Sequence, residues 1–195
     1  MRAIARACLI AGVLLAAFSG PAAQASEGRL VSISFSQRLP VMRPDTPVPD
    51  DPGQVFYLQR STNRNTIVYA ARFDGDGNLD PRDPLAVYWR RFEEEGQIQA
   101  LNFEQRVFAF GVRVRPGAQP GEFDVRFRAM AGTEATLRQI GPFRAELIGR
   151  VGQEAMRLKY GFIEAIDGFI PRVIEVRIFG RHENGSIVTA ILQPR

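Results

Sequence analysis

Met156-Arg157-Leu158-Lys159-Tyr160 alternates apolar and charged residues one by one, and so do Val112-Arg113-Val114-Arg115 and Ile174-Glu175-Val176-Arg177-Ile178. A period of two sends successive side chains to opposite faces of an extended strand, so each run lays one face on a core and the other in water. Similar short runs, separated by Gly, Pro, Asn and Asp clusters, recur along the chain at about 29–36, 54–61, 65–73, 84–92, 110–115, 122–129, 134–139, 143–150, 154–166, 172–180 and 186–192. This is the pattern of antiparallel β structure rather than of βαβ units. The expected fold is all-β, an antiparallel two-sheet sandwich or flattened barrel, with one short helix near 102–109. There, Asn102 stands as N-cap with Gln105 three residues on, and Phe103, Val107 and Phe110 follow at helical spacing. Residues 39–53 hold five prolines and read as an extended crossover rather than a central strand. Asn184-Gly185 is the strongest short hairpin signal.

Composition is that of a soluble globular chain: 195 residues, 45% hydrophobic and 24% charged. The start is different. Residues 1–25 combine basic Arg2 and Arg6, an apolar run from Cys8 to Phe18 and an Ala23-Gln24-Ala25 cleavage motif, the plan of a secretory signal peptide. The apolar run is short of the roughly 20 residues a spanning helix needs, so no transmembrane segment is expected after cleavage. Arg6 close before Cys8 argues against a lipoprotein signal. The expected mature chain, 26–195, is a single β-rich domain with no cysteine, exported to the periplasm or beyond and held together by its core alone. Removing Arg2 and Arg6 from 25 basic residues leaves 23 against 21 acidic ones, a net charge of +2 that gives no reason to expect nucleic-acid binding.

One segment is more specific than its alternation. Phe56-Tyr57-Leu58-Gln59-Arg60-Ser61, Asn63, Asn65-Thr66-Ile67-Val68-Tyr69, then Pro84-Leu85 with Val87-Tyr88-Trp89, then Phe108-Ala109-Phe110-Gly111-Val112, together resemble the bacterial exported proteins grouped as domain of unknown function 4833. The resemblance covers about residues 54–115 and implies an exported β-rich domain, with no activity attached. Phe110 stands where the family pattern has Tyr, so any role of that hydroxyl is lost here.

Several constellations carry possible chemistry. Asp74, Asp76, Asn78 and Asp80, with Asp83 beyond, place oxygens at alternate positions as calcium loops do, but Leu79 and Leu85 stand where an EF-hand needs Gly and Glu. The competing reading is a polar turn. Arg113, Arg115, Arg126 and Arg128 recur at period two on neighbouring strands and would gather on one face as an anion site. Symmetric hairpin closure would instead set Arg115 opposite Glu122 and Arg113 opposite Asp124, ordinary ion pairs on a solvated face. Tyr69, Tyr88 and Trp89 could form a sugar-stacking platform or belong to the core. Glu164 continues the parity of Met156, Leu158, Tyr160 and Phe162. It would face inward as a general acid unless a bulge near Phe162-Ile163 turns it out. His182, near the hairpin tip, reads as structural.

No nucleophile arrangement, metal cluster, phosphate loop or cofactor pattern is present in the sequence. The leading expectation is a non-enzymatic binding module holding an envelope lipid, a glycan or an anionic small molecule on an aromatic and Arg-lined surface. The alternatives are a carboxylate-dependent hydrolase of cell-envelope material, pairing Glu164 with Glu104 or Glu146, and a scaffold making only protein contacts. Two carboxyl groups about 5 to 9.5 Å apart in a cleft would favour the hydrolase; a deep apolar pocket would favour the binder.

Overall fold

The computed structural model describes residues 29–130, 133–166 and 172–193; the expected signal peptide lies outside them. Twelve strands follow in order: β1 (Arg29–Ser36), β2 (Gln54–Arg60), β3 (Thr66–Ala71), β4 (Leu85–Arg91), β5 (Gln97–Ala100), β6 (Val112–Pro116), β7 (Glu122–Phe127), β8 (Glu134–Gly141), β9 (Arg144–Val151), β10 (Glu154–Ile166), β11 (Arg172–Arg181) and β12 (Ile187–Gln193). The fold is all-β, as the alternation predicts. The expectation of two wholly antiparallel sheets is corrected, because the strands form one hydrogen-bonded sheet containing a parallel pair.

The 13-residue β10 is the reason. Its outer length, Arg157 to Ile166, pairs with β11, which carries β12 and then β1. Its other edge is shared: Glu154–Arg157 pairs antiparallel with β9, and Tyr160–Ile163 pairs parallel with β2. From that shared edge two arms diverge, β2-β3-β4-β5 and β9-β8-β7-β6. The sheet curls into a half-barrel so that both arms line one core, where Phe127 of one arm lies edge-on to Phe56 and Tyr69 of the other, ring centres 5.7 and 5.2 Å away. Gly161 permits the close approach at the fork, since a Cβ there would sit 2.4 Å from Leu58 Cδ2.

The pairing of β10 with β11 slips between Leu158 and Tyr160, and this bulge reverses the inward parity. Met156 and Leu158 therefore join the main core, whereas Tyr160 and Phe162 emerge on the outer face with Tyr57 and Phe179 as a second apolar cluster. The proline-rich residues 39–53 run over this side as a strap. Met42 packs on the cluster, and the Tyr160 hydroxyl donates to the carbonyl of Pro40. Arg43 Nη1 donates to the carbonyls of Arg60, Ser61 and Asn63 at 3.2, 2.9 and 3.2 Å. Asp51, its side chain 1% exposed, accepts two bonds from Arg90 Nε at 2.9 and 3.0 Å.

The short helix is present as a helical segment ending in one π-turn, Gln105–Ala109. Its reciprocal cap is formed as the sequence predicts: Gln105 N donates to Asn102 Oδ1 at 2.8 Å, and Asn102 N donates to Gln105 Oε1 at 3.2 Å. Phe103 does not reach the core, however, and is 75% exposed. At the Asn184-Gly185 hairpin Gly185 takes φ +88°, its N–H bonded to the carbonyl of His182 at 2.9 Å.

Candidate functional site

The hairpin of β6 and β7 decides what the arginines meet. Its loop closes with Gly117 N donating to the carbonyl of Glu122 at 2.9 Å and with Gly121 at φ +78°. This moves the register away from symmetric closure, so that Arg113 faces Arg126 and Arg115 faces Asp124. The expected oppositions, Arg115 with Glu122 and Arg113 with Asp124, are thereby corrected. Core-facing Phe123, Val125 and Phe127 alternate with outward Asp124 and Arg126, so the arginine pair stands on the solvent side of the arm. Across the strands the row continues from Arg113 and Arg126 to Glu134 on β8 and Arg150 on β9. The row thus sets three guanidinium groups with one carboxylate, Glu134, which pairs with Arg126 at 3.0 Å. The row flanks a shallow, open depression of about 380 Å³ lined by Asp124, Arg126, Glu134, Thr136, Ile148 and Arg150. Arg128, at the end of β7, is half-buried and stands apart from that lining.

The aromatic candidates are not brought together. Tyr69 and Trp89 point into the core, 0% and 3% exposed, while Tyr88 takes the other face of β4 beside Asp51 and Arg90. Adjacent strand positions must diverge in this way. The Tyr69 hydroxyl donates to the carbonyl of Phe110 at 2.9 Å, and Trp89 Nε1 donates to Gln105 Oε1 at 3.1 Å. Burial raises both the Tyr69 and Tyr88 hydroxyls, Tyr88 to about 12.

One cation was missed by the sequence reading. Arg60 follows Phe56 and Leu58 on the inward parity of β2, and its guanidinium lies 4.7 Å from the centre of the Trp89 ring and 6.0 Å from that of Phe110. The inward parity was the signal for it. The two asparagines of the same motif are turn-builders: Asn63 Oδ1 accepts from Asn65 N at 3.1 Å, and the Asn65 amide exchanges bonds with Glu93.

The carboxylate candidates lie on separate elements. Glu164 is outward on β10, 3.4 Å from Arg177; Glu146 on β9 is clamped between Arg138 and Arg157; Glu104 is exposed in the helical segment. The inward parity argued for Glu164 fails because the chain bulges at Lys159, three residues before the position expected. None of the three lines either of the two surface depressions described in this section. His182 sits beside Glu154, with 3.7 Å between Nε2 and the carboxylate.

In the acidic loop the oxygens are turned to structural use. Asp74 Oδ1 accepts the N–H groups of Asp76 and Asn78 at 3.0 and 2.8 Å, Asp80 accepts that of Arg82 at 2.9 Å, and Asp83 pairs with Arg72. The loop docks on the other arm, where Gln139 bonds the Leu79 N–H and the Gly77 carbonyl. Among the described residues no three His, Cys, Asp or Glu side chains are placed to hold a metal ion, and no helix is long and apolar enough to cross a membrane.

A second depression, about 320 Å³, lies between β4 and β6, lined by Leu85, Val87, Leu101, Val112, Val114 and Arg106 among others. It is the seam at which the curled sheet stops short of closing.

No curated protein and no solved structure matches the chain. The model of one family, described as a domain of unknown function (DUF4833), matches residues 56–189, from β2 into β12, and so takes in both arms and the fork between them. The motifs around Arg60, Trp89 and Phe110, together with this match over well over half of its length, establish that the chain belongs to the DUF4833 family.

Proposed function

We propose that the chain is an exported, non-enzymatic binding module, periplasmic or secreted, that holds an anionic partner on the outer face of β6 to β9. The supporting observation is the Arg113 and Arg126 pair. Like charges directly opposite each other across two strands are destabilising, and the register sets Arg113 against Arg126, leaving Glu134, 3.0 Å from Arg126, as the carboxylate paired to this couple. An anion lying across Arg113, Arg126 and Arg150 removes that repulsion. The aromatic half of the expected surface contributes nothing here, since Tyr69 and Trp89 are buried.

The test is native mass spectrometry on protein recovered from its own export compartment. The mature chain, starting at Ser26, is expected to carry an added mass that 0.5 M salt releases and that Arg113→Gln with Arg126→Gln abolishes. The double variant should lose no more than about 1 kcal/mol of stability, both sites being exposed. Clean apo protein from the native compartment overturns the reading.

A further inference from the structure

The open seam between β4 and β6 has the form of a missing strand. Strands β4 and β2 run the same way, β2 is parallel to β10, and four antiparallel steps lead from β10 to β6, so β4 and β6 run in the same direction. One strand antiparallel to both would fit between them. Strand β5 already occupies that lane beside Tyr88–Arg91. The chain then leaves it at Leu101, which turns into the core, 4% exposed, and the lane beside Leu85–Val87 is left open.

The backbone on both sides is oriented to receive a strand. Arg72 N bonds the Pro84 carbonyl, which fixes positions 84, 86, 88 and 90 as the ones bonded to β3; Leu85 and Val87 therefore turn their N–H and C=O groups to the seam. Arg128 N bonds the Gly111 carbonyl and Gly117 N bonds that of Glu122. Positions 111, 113, 115 and 117 thus face β7, while Val112 and Val114 present their groups to the seam. The side chains set the chemistry of the occupant. Leu85, Val87, Val112 and Val114 line the inner side, and Arg113 and Arg115 flank the outer side, with Arg82 and Arg106 at the rim. Among the described residues none of these four arginines has an ion-pair partner, and the one acid of the lining, Asp83, is taken by Arg72.

We infer that the seam accepts, by strand addition, an extended segment of a partner protein in which acidic and apolar residues alternate. The segment runs antiparallel to β4 and β6, with its apolar residues inward and its acids beside Arg113 and Arg115. This rests on the anion-binding reading above and names its partner. It also completes a flattened barrel out of the half-barrel.

The experiment is fluorescence anisotropy of the mature chain with a labelled eight-residue peptide of alternating Asp and Val. Three comparison probes are the same peptide N-methylated at alternate amides, an Arg and Val peptide, and the Asp and Val peptide in 0.5 M salt. Saturable binding is expected, at least tenfold weaker after N-methylation or in high salt and absent for the Arg and Val peptide. Val114→Pro removes a seam-facing N–H and no bond to β7, and should weaken binding at least tenfold while leaving the unfolding midpoint near that of the parent. Equal binding of the N-methylated or basic peptide, or no binding at millimolar peptide, overturns strand addition. If the peptide binds but responds only to Arg113→Gln with Arg126→Gln, strand addition fails and the anion-binding face stands. Clean apo protein in the mass measurement sinks that face separately.

Discussion

Arg90→Met should destabilise the chain by about 3–5 kcal/mol, the cost of leaving a buried carboxylate without its cation. Asp51 is the pin of the strap. Its side chain is 1% exposed and takes both Arg90 Nε contacts, while Arg90 Nη1 donates to the Gly96 carbonyl at 2.6 Å. Methionine keeps most of the aliphatic stem, so packing is nearly retained and the charge with its donors is what disappears. At about 2–4 °C per kcal/mol for a domain of this size, the melting temperature falls by roughly 6–20 °C. Adding Asp51→Asn replaces the stranded charge with a neutral amide, and the double variant should therefore be more stable than Arg90→Met alone. Urea unfolding of the two variants and the parent measures this order, and protease cleavage within residues 39–53 reports whether the strap is released. A loss below about 1 kcal/mol for Arg90→Met, or a double variant no better than the single, would refute the reasoning.

Alkaline unfolding offers a second check. Burial pushes the Tyr57 hydroxyl up to about 12, above the value near 10 that it has when unfolded. Its contribution is full below pH 10 and lost as pH rises towards 12, because the unfolded chain ionises first. Tyr57→Phe should flatten the fall in stability over that window, and urea melts from pH 8 to pH 11.5 with an unchanged slope would count against it. In the acidic loop, Asp74→Ala removes the acceptor of two backbone N–H groups and is expected to cost about 1 kcal/mol. Millimolar calcium should leave the melting temperature of parent and variant unchanged; a calcium-dependent rise abolished by Asp76→Ala would instead restore the cation reading.

The local strands were legible because alternation and turn residues are local properties. Residues 154–166 were expected as one strand and form β10 over that span. Strand β5, Gln97-Ile98-Gln99-Ala100, was missed: its alternation spans only four residues, ends on a small Ala, and buries none of them. The cap of the helical segment was legible in Asn102 and Gln105, but not the outward turn of Phe103, which stands just before the π-turn, 75% exposed. Hairpin partners were legible, β11 with β12 across Asn184-Gly185 and β6 with β7, but the distant partners were not, since no local pattern in Tyr57 says that it will lie beside Tyr160. The arginine face was half legible. Period two put the side chains on one side correctly, and the shift in register from the Gly117 to Gly121 loop then determined which charge each one faces. That Tyr88 and Trp89 could not share a platform was already implicit in their adjacency.

The parallel pair of β2 and β10 joins residues about a hundred positions apart, from Tyr57 to Tyr160, and this separation sets a clock on biogenesis. At synthesis rates of about 5–20 residues per second, β2 waits on the order of 5–20 s for the strand that joins it to the second arm. Until β10 is made, the two arms have no shared edge to hold them together, and the aromatic face of the first arm is open to aggregation or to a holdase. Contacts this distant in sequence also slow the search for the native state itself. The fork at β10 thus closes only after most of the chain has been made.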